Sequence, residues 1–283
     1  MTPTGAARLA GVMGWPVAHS RSPRLHGFWL DRYGIDGAYV PLAVRPDQLE
    51  TALRALPVLG FAGCNLTLPH KETALGLVDR LDPLAKRIGA MNTVVVAATG
   101  ELSGSNTDVF GFRENLLMAA KGWRADAGPA VVIGAGGASR AALAVLTDDG
   151  APEIRLVNRS RERAEALADL FGPTVQVVDW QRRAEALEGA LLLVNSTSLG
   201  MSGQPPLDLP LDALPREALV TDMVYVPLET PLLGEARRRG NLTVDGLGML
   251  LHQGRPGFSA WFGRDPEVTA GLREAVLETM RTG

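Results

Sequence analysis

The chain has 283 residues, 46% hydrophobic and 21% charged, with a formal net charge of −3 at pH 7. This composition argues against long disorder, collagen and coiled coil, and the lack of a basic run argues against a nucleic-acid partner. Cys64 is the only cysteine, which excludes an internal disulfide framework and a cysteine-based zinc cluster; no metal is expected, and a reducing cytoplasm fits. Residues 1–10 lack the basic-then-apolar pattern of a signal peptide, and no apolar run approaches the ~20 residues of a membrane span. The length predicts two domains.

Strand-like and helix-like segments alternate along the chain. Val17-Ala18-His19-Ser20-Arg21-Ser22-Pro23 opens a helix carrying Leu25, Phe28 and Trp29, with Ser22 placed to cap it. Tyr39–Val44 reads as a strand, followed by Leu49, Ala52, Leu53 and Leu56 at helical spacing. Phe61–Leu66 and Thr93–Ala97 read as further strands, and Asp82-Pro83 marks a helix start between them. A boundary near Asn106–Asp108 precedes a helix with Phe112, Leu116 and Leu117. Six short apolar strands follow: Ala130–Ile133, Ile154–Val157, Val175–Val178, Leu191–Asn195, Leu219–Thr221 and Leu242–Val244. Helical patterns such as Ala164, Leu167, Ala168 and Phe171 fall between most of them, which predicts parallel βαβ units and sheets covered on both faces. A second boundary lies near Asp245-Gly246. The tail, Leu247 to Met280, shows two helical patterns and no strand, so it is expected to pack back on the first domain and make that domain discontinuous.

Polar residues gather at the predicted strand ends of the first half. Ser20 and Ser22 place hydroxyls beside free helix N–H groups, which suits a carboxylate. Asn65 and Thr67 alternate onto one face of a strand end, and Lys71 follows within a turn of Pro69. Lys71 is one of three lysines, with Lys86 and Lys121, among 28 Lys and Arg residues. Asn92 adds an amide at a strand start, and Asp108 a carboxylate at the domain junction. Each alone is open to a reading as turn, cap or solvated charge; together they suggest a site for a small polar molecule.

In the second half, Ala130–Ile133 runs into Gly134-Ala135-Gly136-Gly137-Ala138-Ser139-Arg140. Strand, glycine turn and helix are the context of a dinucleotide site: glycine permits the tight turn and close backbone approach, and the helix N-terminus receives the pyrophosphate. A structural strand–helix turn is the competing reading. The next strand ends at Val157 and is followed by Asn158-Arg159-Ser160-Arg161-Glu162-Arg163. An NAD site usually has an acid there; Arg159 instead suits the 2′-phosphate of NADP.

These stretches, with Asn195 to Met201, Asp222-Met223-Val224-Tyr225 and Asp245 to Gln253, occur in the order and spacing of one family. The chain resembles the shikimate dehydrogenases nearly end to end. The resemblance implies an α/β fold of two domains facing each other across a cleft. An N-terminal α/β substrate domain, 1–107 with 246–283, would accompany a Rossmann-like doubly wound NADP domain, 108–245. It implies reversible NADPH-dependent reduction of 3-dehydroshikimate to shikimate, in the chorismate and aromatic amino-acid pathway, by a cytoplasmic monomer or homodimer.

By the same resemblance Lys71 and Asp108 are the catalytic pair. Ser20 and Ser22 hold the substrate carboxylate with Thr67 nearby. Asn92, Asp108 and Gln253 meet the ring hydroxyls, and Asn65 and Tyr225 line the pocket. Gly134, Ala135, Gly136, Gly137, Ala138, Asn158, Arg159, Ser160, Arg163, Met223 and Gly246 contact NADP. His70, Ser160 and Gly27 depart from residues common in the family, namely Phe, Thr and a polar residue. The alternatives are a quinate/shikimate dehydrogenase using NAD and a non-catalytic ligand-sensing relative. Arg159 argues against the first, and the presence of Lys71 with Asp108 against the second.

Overall fold

Short apolar runs bounded by glycine, proline and polar turns form the strands, and the 3.6-residue patterns between them form the helices. The computed structural model describes residues 2–281. In chain order the elements are β1 (Arg8–Gly14), α1 (Ser22–Tyr33), β2 (Gly37–Ala43), α2 (Leu49–Ala55), β3 (Phe61–Leu66), α3 (His70–Thr73), β4 (Arg80–Leu81), α4 (Pro83–Ile88), β5 (Thr93–Val96), β6 (Leu102–Ser105) and α5 (Asp108–Ala119). There follow β7 (Ala130–Ile133), α6 (Gly137–Asp148), β8 (Ile154–Asn158), α7 (Arg161–Phe171), β9 (Val175–Asp179), β10 (Leu192–Asn195), β11 (Leu219–Asp222), α8 (Pro231–Arg239), β12 (Leu242–Val244), α9 (Leu247–Phe262) and α10 (Ala270–Arg281). They form two units, Met1–Phe110 with Leu250–Gly283, and Gly111–Met249. The junctions lie inside α5 and α9, a few residues beyond the turns at Asn106–Asp108 and Asp245-Gly246.

The first unit holds a sheet of order β2-β1-β3-β5-β6-β4. β1 pairs in parallel with β2 and β3, but β5 runs antiparallel to both β3 and β6. The parallel pairing predicted from the alternation therefore fails in this half of the sheet. For β5 and β6 the reason is loop length: residues 97–101 join them, too few for a crossover, and Ala97 N–H closes the turn on Glu101 O at 2.9 Å. β1, β4 and β6 had no strand reading in the sequence.

Ser22 is also not the cap of α1. Arg21 takes that position without a side-chain cap bond, and Ser22 is already the first helical residue, so its hydroxyl is free of capping duty. Asp82 does cap α4, its carboxylate accepting from Leu84 N and Ala85 N. The C-terminal helices pack on the first unit. Trp261 Nε1 donates to Val94 O at 2.9 Å, Trp29 Nε1 to Glu267 O at 2.9 Å and Arg24 Nε to Ala275 O at 3.2 Å. Between them, the buried His26 ring stacks on Tyr39 at 3.9 Å, and Trp29 meets Phe258 edge-on at 5.2 Å.

The second unit is a six-stranded parallel sheet of order β12-β11-β10-β7-β8-β9. Numbered within the unit and read from β9, that is 3-2-1-4-5-6, the doubly wound Rossmann order. β7 and β10 are buried along their whole length, as strands covered on both faces must be. Chain direction across the sheet reverses between β7 and β10, and ligands of open α/β sheets bind outside the strand C-termini there. No described helix is long and apolar enough to cross a membrane.

Candidate active site

Lys71 stands on the single turn of α3, directly after β3 delivers the chain to the sheet end. Its Nζ donates to Asp108 Oδ2 at 2.6 Å, a short charge-assisted bond. Asp108 begins α5, where the helix N-terminus favours a carboxylate. Asn106 Oδ1 accepts from Asp108 N at 2.9 Å and so fixes this start. Asn92 Nδ2 reaches the other carboxylate oxygen, Oδ1, at 2.9 Å, and Gln253 Oε1 of α9 at 3.3 Å. Lys71, Asp108, Asn92 and Gln253 are thus brought together from α3, α5, the start of β5 and α9. Asp108, Asn92 and Gln253 are buried, while a quarter of the Lys71 side chain stays exposed.

Of the remaining first-unit candidates, Asn65 is bonded to this group, while Ser20 and Thr67 make local contacts of their own. Asn65, at the end of β3, donates to Asn92 O at 3.0 Å and Thr93 Oγ1 at 3.1 Å. Ser20 Oγ accepts from Ser22 N at 3.4 Å, and Thr67 N–H donates to Met13 O at 2.9 Å. His70, beside Lys71, is buried and its Nε2 lies 2.8 Å from Val44 O. A carbonyl only accepts, so this nitrogen carries a proton and pins α3 to the end of β2. Tyr39, Thr93 and Thr107 also join the group through their hydroxyls. The sequence assigned their hydroxyls no role.

The second unit carries the other set. Gly134 has φ +112°, and a Cβ there would fall 2.7 Å from Ser196 Oγ, so the turn after β7 requires glycine. Gly136 and Gly137 face open space, and α6 starts at Gly137 without a side-chain cap, leaving its first N–H groups for an anion. Ala135 N–H is held by Asn158 Oδ1 at 3.2 Å. Ser160 caps α7, accepting from Arg163 N at 3.4 Å. Arg161 is paired with Glu165 and Asp179, whereas Arg159 and Arg163 are exposed and make no ion pair among the described residues. Met223 and Tyr225 follow β11, and Gly246 lies so close that a Cβ would sit 2.4 Å from Met223 O. The buried Asp222 holds this region, accepting from Asn195 Nδ2 at 3.0 Å, Val224 N at 3.0 Å and Thr230 Oγ1 at 2.7 Å. Burial raises its carboxyl above the usual range.

Three family profiles match the chain: the shikimate dehydrogenase substrate binding domain over residues 12–94, shikimate/quinate 5-dehydrogenase over 119–201, and the shikimate 5′-dehydrogenase C-terminal domain over 246–277. A shikimate dehydrogenase (NADP(+)) of Paramagnetospirillum magneticum is 64% identical, over 97% of this chain and 99% of its own. The chain belongs to the shikimate dehydrogenase family. Solved shikimate dehydrogenase folds agree with it. The Thermus thermophilus shikimate 5-dehydrogenase, in complex with NADP(H) and shikimate, is 39% identical with a TM-score of 0.86, covering 96% of this chain and 99% of that one. A Corynebacterium glutamicum quinate dehydrogenase in complex with NAD is 33% identical with a TM-score of 0.89, again over 96% and 99%.

Proposed function

We propose that the chain catalyses the reversible NADPH-dependent reduction of 3-dehydroshikimate to shikimate, a step toward chorismate and the aromatic amino acids. The observation that carries this reading is the Lys71–Asp108 pair at 2.6 Å, buttressed by Asn92. A ligand-sensing relative has no need of an ammonium held this way.

The second unit fits NADP. The open space at Gly136 and Gly137 and the uncapped start of α6 suit a pyrophosphate, and the free Arg159 suits a 2′-phosphate. Asn158, Ser160, Arg163, Met223 and Gly246 complete the proposed cofactor set. When bound, NADPH supplies a hydride to the ketone carbon.

The chain's own residues do the rest. An ammonium has three N–H donors. One is used on Asp108, so the others can reach the ketone oxygen, stabilise the charge that develops there and hand over a proton. The exposed part of Lys71 lets solvent restore that proton. In the oxidation direction the amine accepts the proton instead. Ser20, Ser22 and Thr67 offer hydroxyls for the ring carboxylate, and Asn92, Asp108 and Gln253 are the proposed contacts of the ring hydroxyls. Asn65 and Tyr225 complete the proposed pocket.

A steady-state assay crossing shikimate and quinate with NADP⁺ and NAD⁺ tests the reading. Shikimate with NADP⁺ should have the highest kcat/KM; a preference for quinate with NAD⁺ overturns it in favour of a quinate dehydrogenase, and no turnover in any arm favours a sensing role. The buried free thiol of Cys64 accords with action in the cytoplasm. Monomer and homodimer are the expected states, and sedimentation equilibrium distinguishes them.

A further inference from the structure

The Lys71–Asp108 pair is the end of a buried hydrogen-bond chain whose direction the backbone fixes. Asn92 O can only accept, so the bond from Asn65 Nδ2 at 3.0 Å sets which way the Asn65 amide faces. Its oxygen is then turned to Tyr39 Oη at 2.6 Å, which must donate. Burial raises the Tyr39 phenol well above its ordinary range and keeps it a donor. The second Asn65 Nδ2 bond goes to Thr93 Oγ1 at 3.1 Å, so the Thr93 proton is free to point onward.

The backbone N–H of Thr107 can only donate, and at 2.8 Å it identifies the Asn92 side-chain oxygen. Thr93 Oγ1 and Thr107 Oγ1 each reach that same oxygen at 3.1 Å. With its oxygen held on this side, the Asn92 amide has one orientation left. Nδ2 faces Asp108 Oδ1 at 2.9 Å, and Lys71 takes Oδ2. A flipped amide would set its oxygen against the carboxylate, two acceptors with no proton between them, in a site with little water to relieve it.

We propose that Thr93 is a positioning residue for the reaction: its hydroxyl locks the Asn92 amide so that Asp108 stays aimed at Lys71. Thr107 holds the same oxygen, and Tyr39 and Asn65 hold Thr93. Both Asn65 donor bonds are committed inside this network. The proposal deepens the proposed function and rests on it.

Thr93→Val removes the hydroxyl at nearly constant shape, and Thr93→Ser keeps it. Lysine-labelled protein shows only Lys71, Lys86 and Lys121, so the Lys71 side-chain NMR signal can be followed with no ligand present. In Thr93→Val that signal should move from its wild-type position toward its position in Asp108→Asn. The kcat with shikimate should fall about ten- to a hundredfold, the scale of a small misplacement of catalytic groups, with the KM for NADP⁺ unchanged. Thr93→Ser should restore both. An unmoved Lys71 signal with kcat within about twofold of wild type, even beside a lower Tm, overturns the proposal, as does a loss that serine does not restore. Should Thr93→Val not fold, Tyr39→Phe removes only the hydroxyl that anchors Asn65, and the same shift is expected at smaller amplitude; none overturns the proposal. Wild-type protein that turns over no shikimate counts against the function alone, because the ligand-free Lys71 signal still decides whether the network positions it.

Discussion

In the proposed mechanism, proton donor and positive charge are the same group, the Lys71 ammonium. Lys71→Ala removes both, and kcat should fall by at least about 10²–10⁴-fold, the usual range for acid–base catalysis, with a modest change in KM for shikimate. Lys71→Arg should recover little, since a guanidinium is bulkier and keeps its protons. Near-normal turnover in Lys71→Ala would return Lys71 to an ordinary surface lysine. At the cofactor end, Arg159→Ala should raise the KM for NADP⁺ about ten- to a hundredfold, from loss of a charge-assisted contact of about 1.5–3 kcal/mol, and leave NAD⁺ kinetics nearly unchanged. Equal losses with both cofactors would remove Arg159 from the 2′-phosphate site. In the sequence Lys71, Asp108 and Asn92 stood out only together, as polar residues near strand ends and the domain junction, and the family resemblance gave each its expected role. Thr93 and Thr107 did not stand out, because no local pattern says which threonine hydroxyl turns inward. His70 is similar: its partner, Val44 O, is a backbone atom 26 positions away.

Among the elements, the second sheet was the more legible. Its central strands β7, β10 and β11 are covered on both faces and so read as unbroken apolar runs, such as Ala130–Ile133. The first sheet hides its strands better. β1 lies between β2 and β3, yet its residues 8–14 include two glycines and show no alternation. β6, Leu-Ser-Gly-Ser, alternates in burial but has little β propensity, and β4 is two residues long. Two glycines give a test of this unit. A Cβ on Gly63 of β3 would fall 2.0 Å from Val94 O and 2.3 Å from Trp261 Nε1, at φ +151°. Gly63→Ala should therefore cost at least about 2 kcal/mol, by forcing β3 from β5 and displacing Trp261. Gly27, inside α1, has nothing within 4 Å, and Gly27→Ala should stabilise by about 0.5–1 kcal/mol. Urea midpoints measure both; a tolerated Gly63→Ala would mean that the β3–β5 register is not as tight as described.

On the scale of the whole molecule, the units should respond differently to acid. All four histidines lie in the first unit. Burial pushes His26 down to about 3, and burial with the nearby Arg255 charge pushes His252 down to about 4. Unfolded, each would take up a proton near pH 6.5. Below that pH the unfolded state binds more protons, so the first unit loses stability as pH falls, until the folded pKa values are passed. The slope is at most about 1.4 kcal/mol per pH unit for His26, with a smaller share from His252, whose charge solvent partly screens. Asp222 in the second unit has the opposite sign: its raised carboxyl takes up a proton more readily folded than unfolded, so acid relieves it. Native-state hydrogen exchange, resolved by unit, should show opening free energies of the first unit falling between about pH 6.5 and 4 while those of the second hold. A uniform fall would mean that carboxylates, not the buried histidines, govern the acid response. The discontinuous first unit has a further consequence, at the ribosome. Residues 111–249 are contiguous in the chain, whereas the first unit must wait for α9 to bring Phe258 and Trp261. The unit that is interrupted is then completed after the one inserted in it, and Asn92 meets Gln253 only once α9 has been translated.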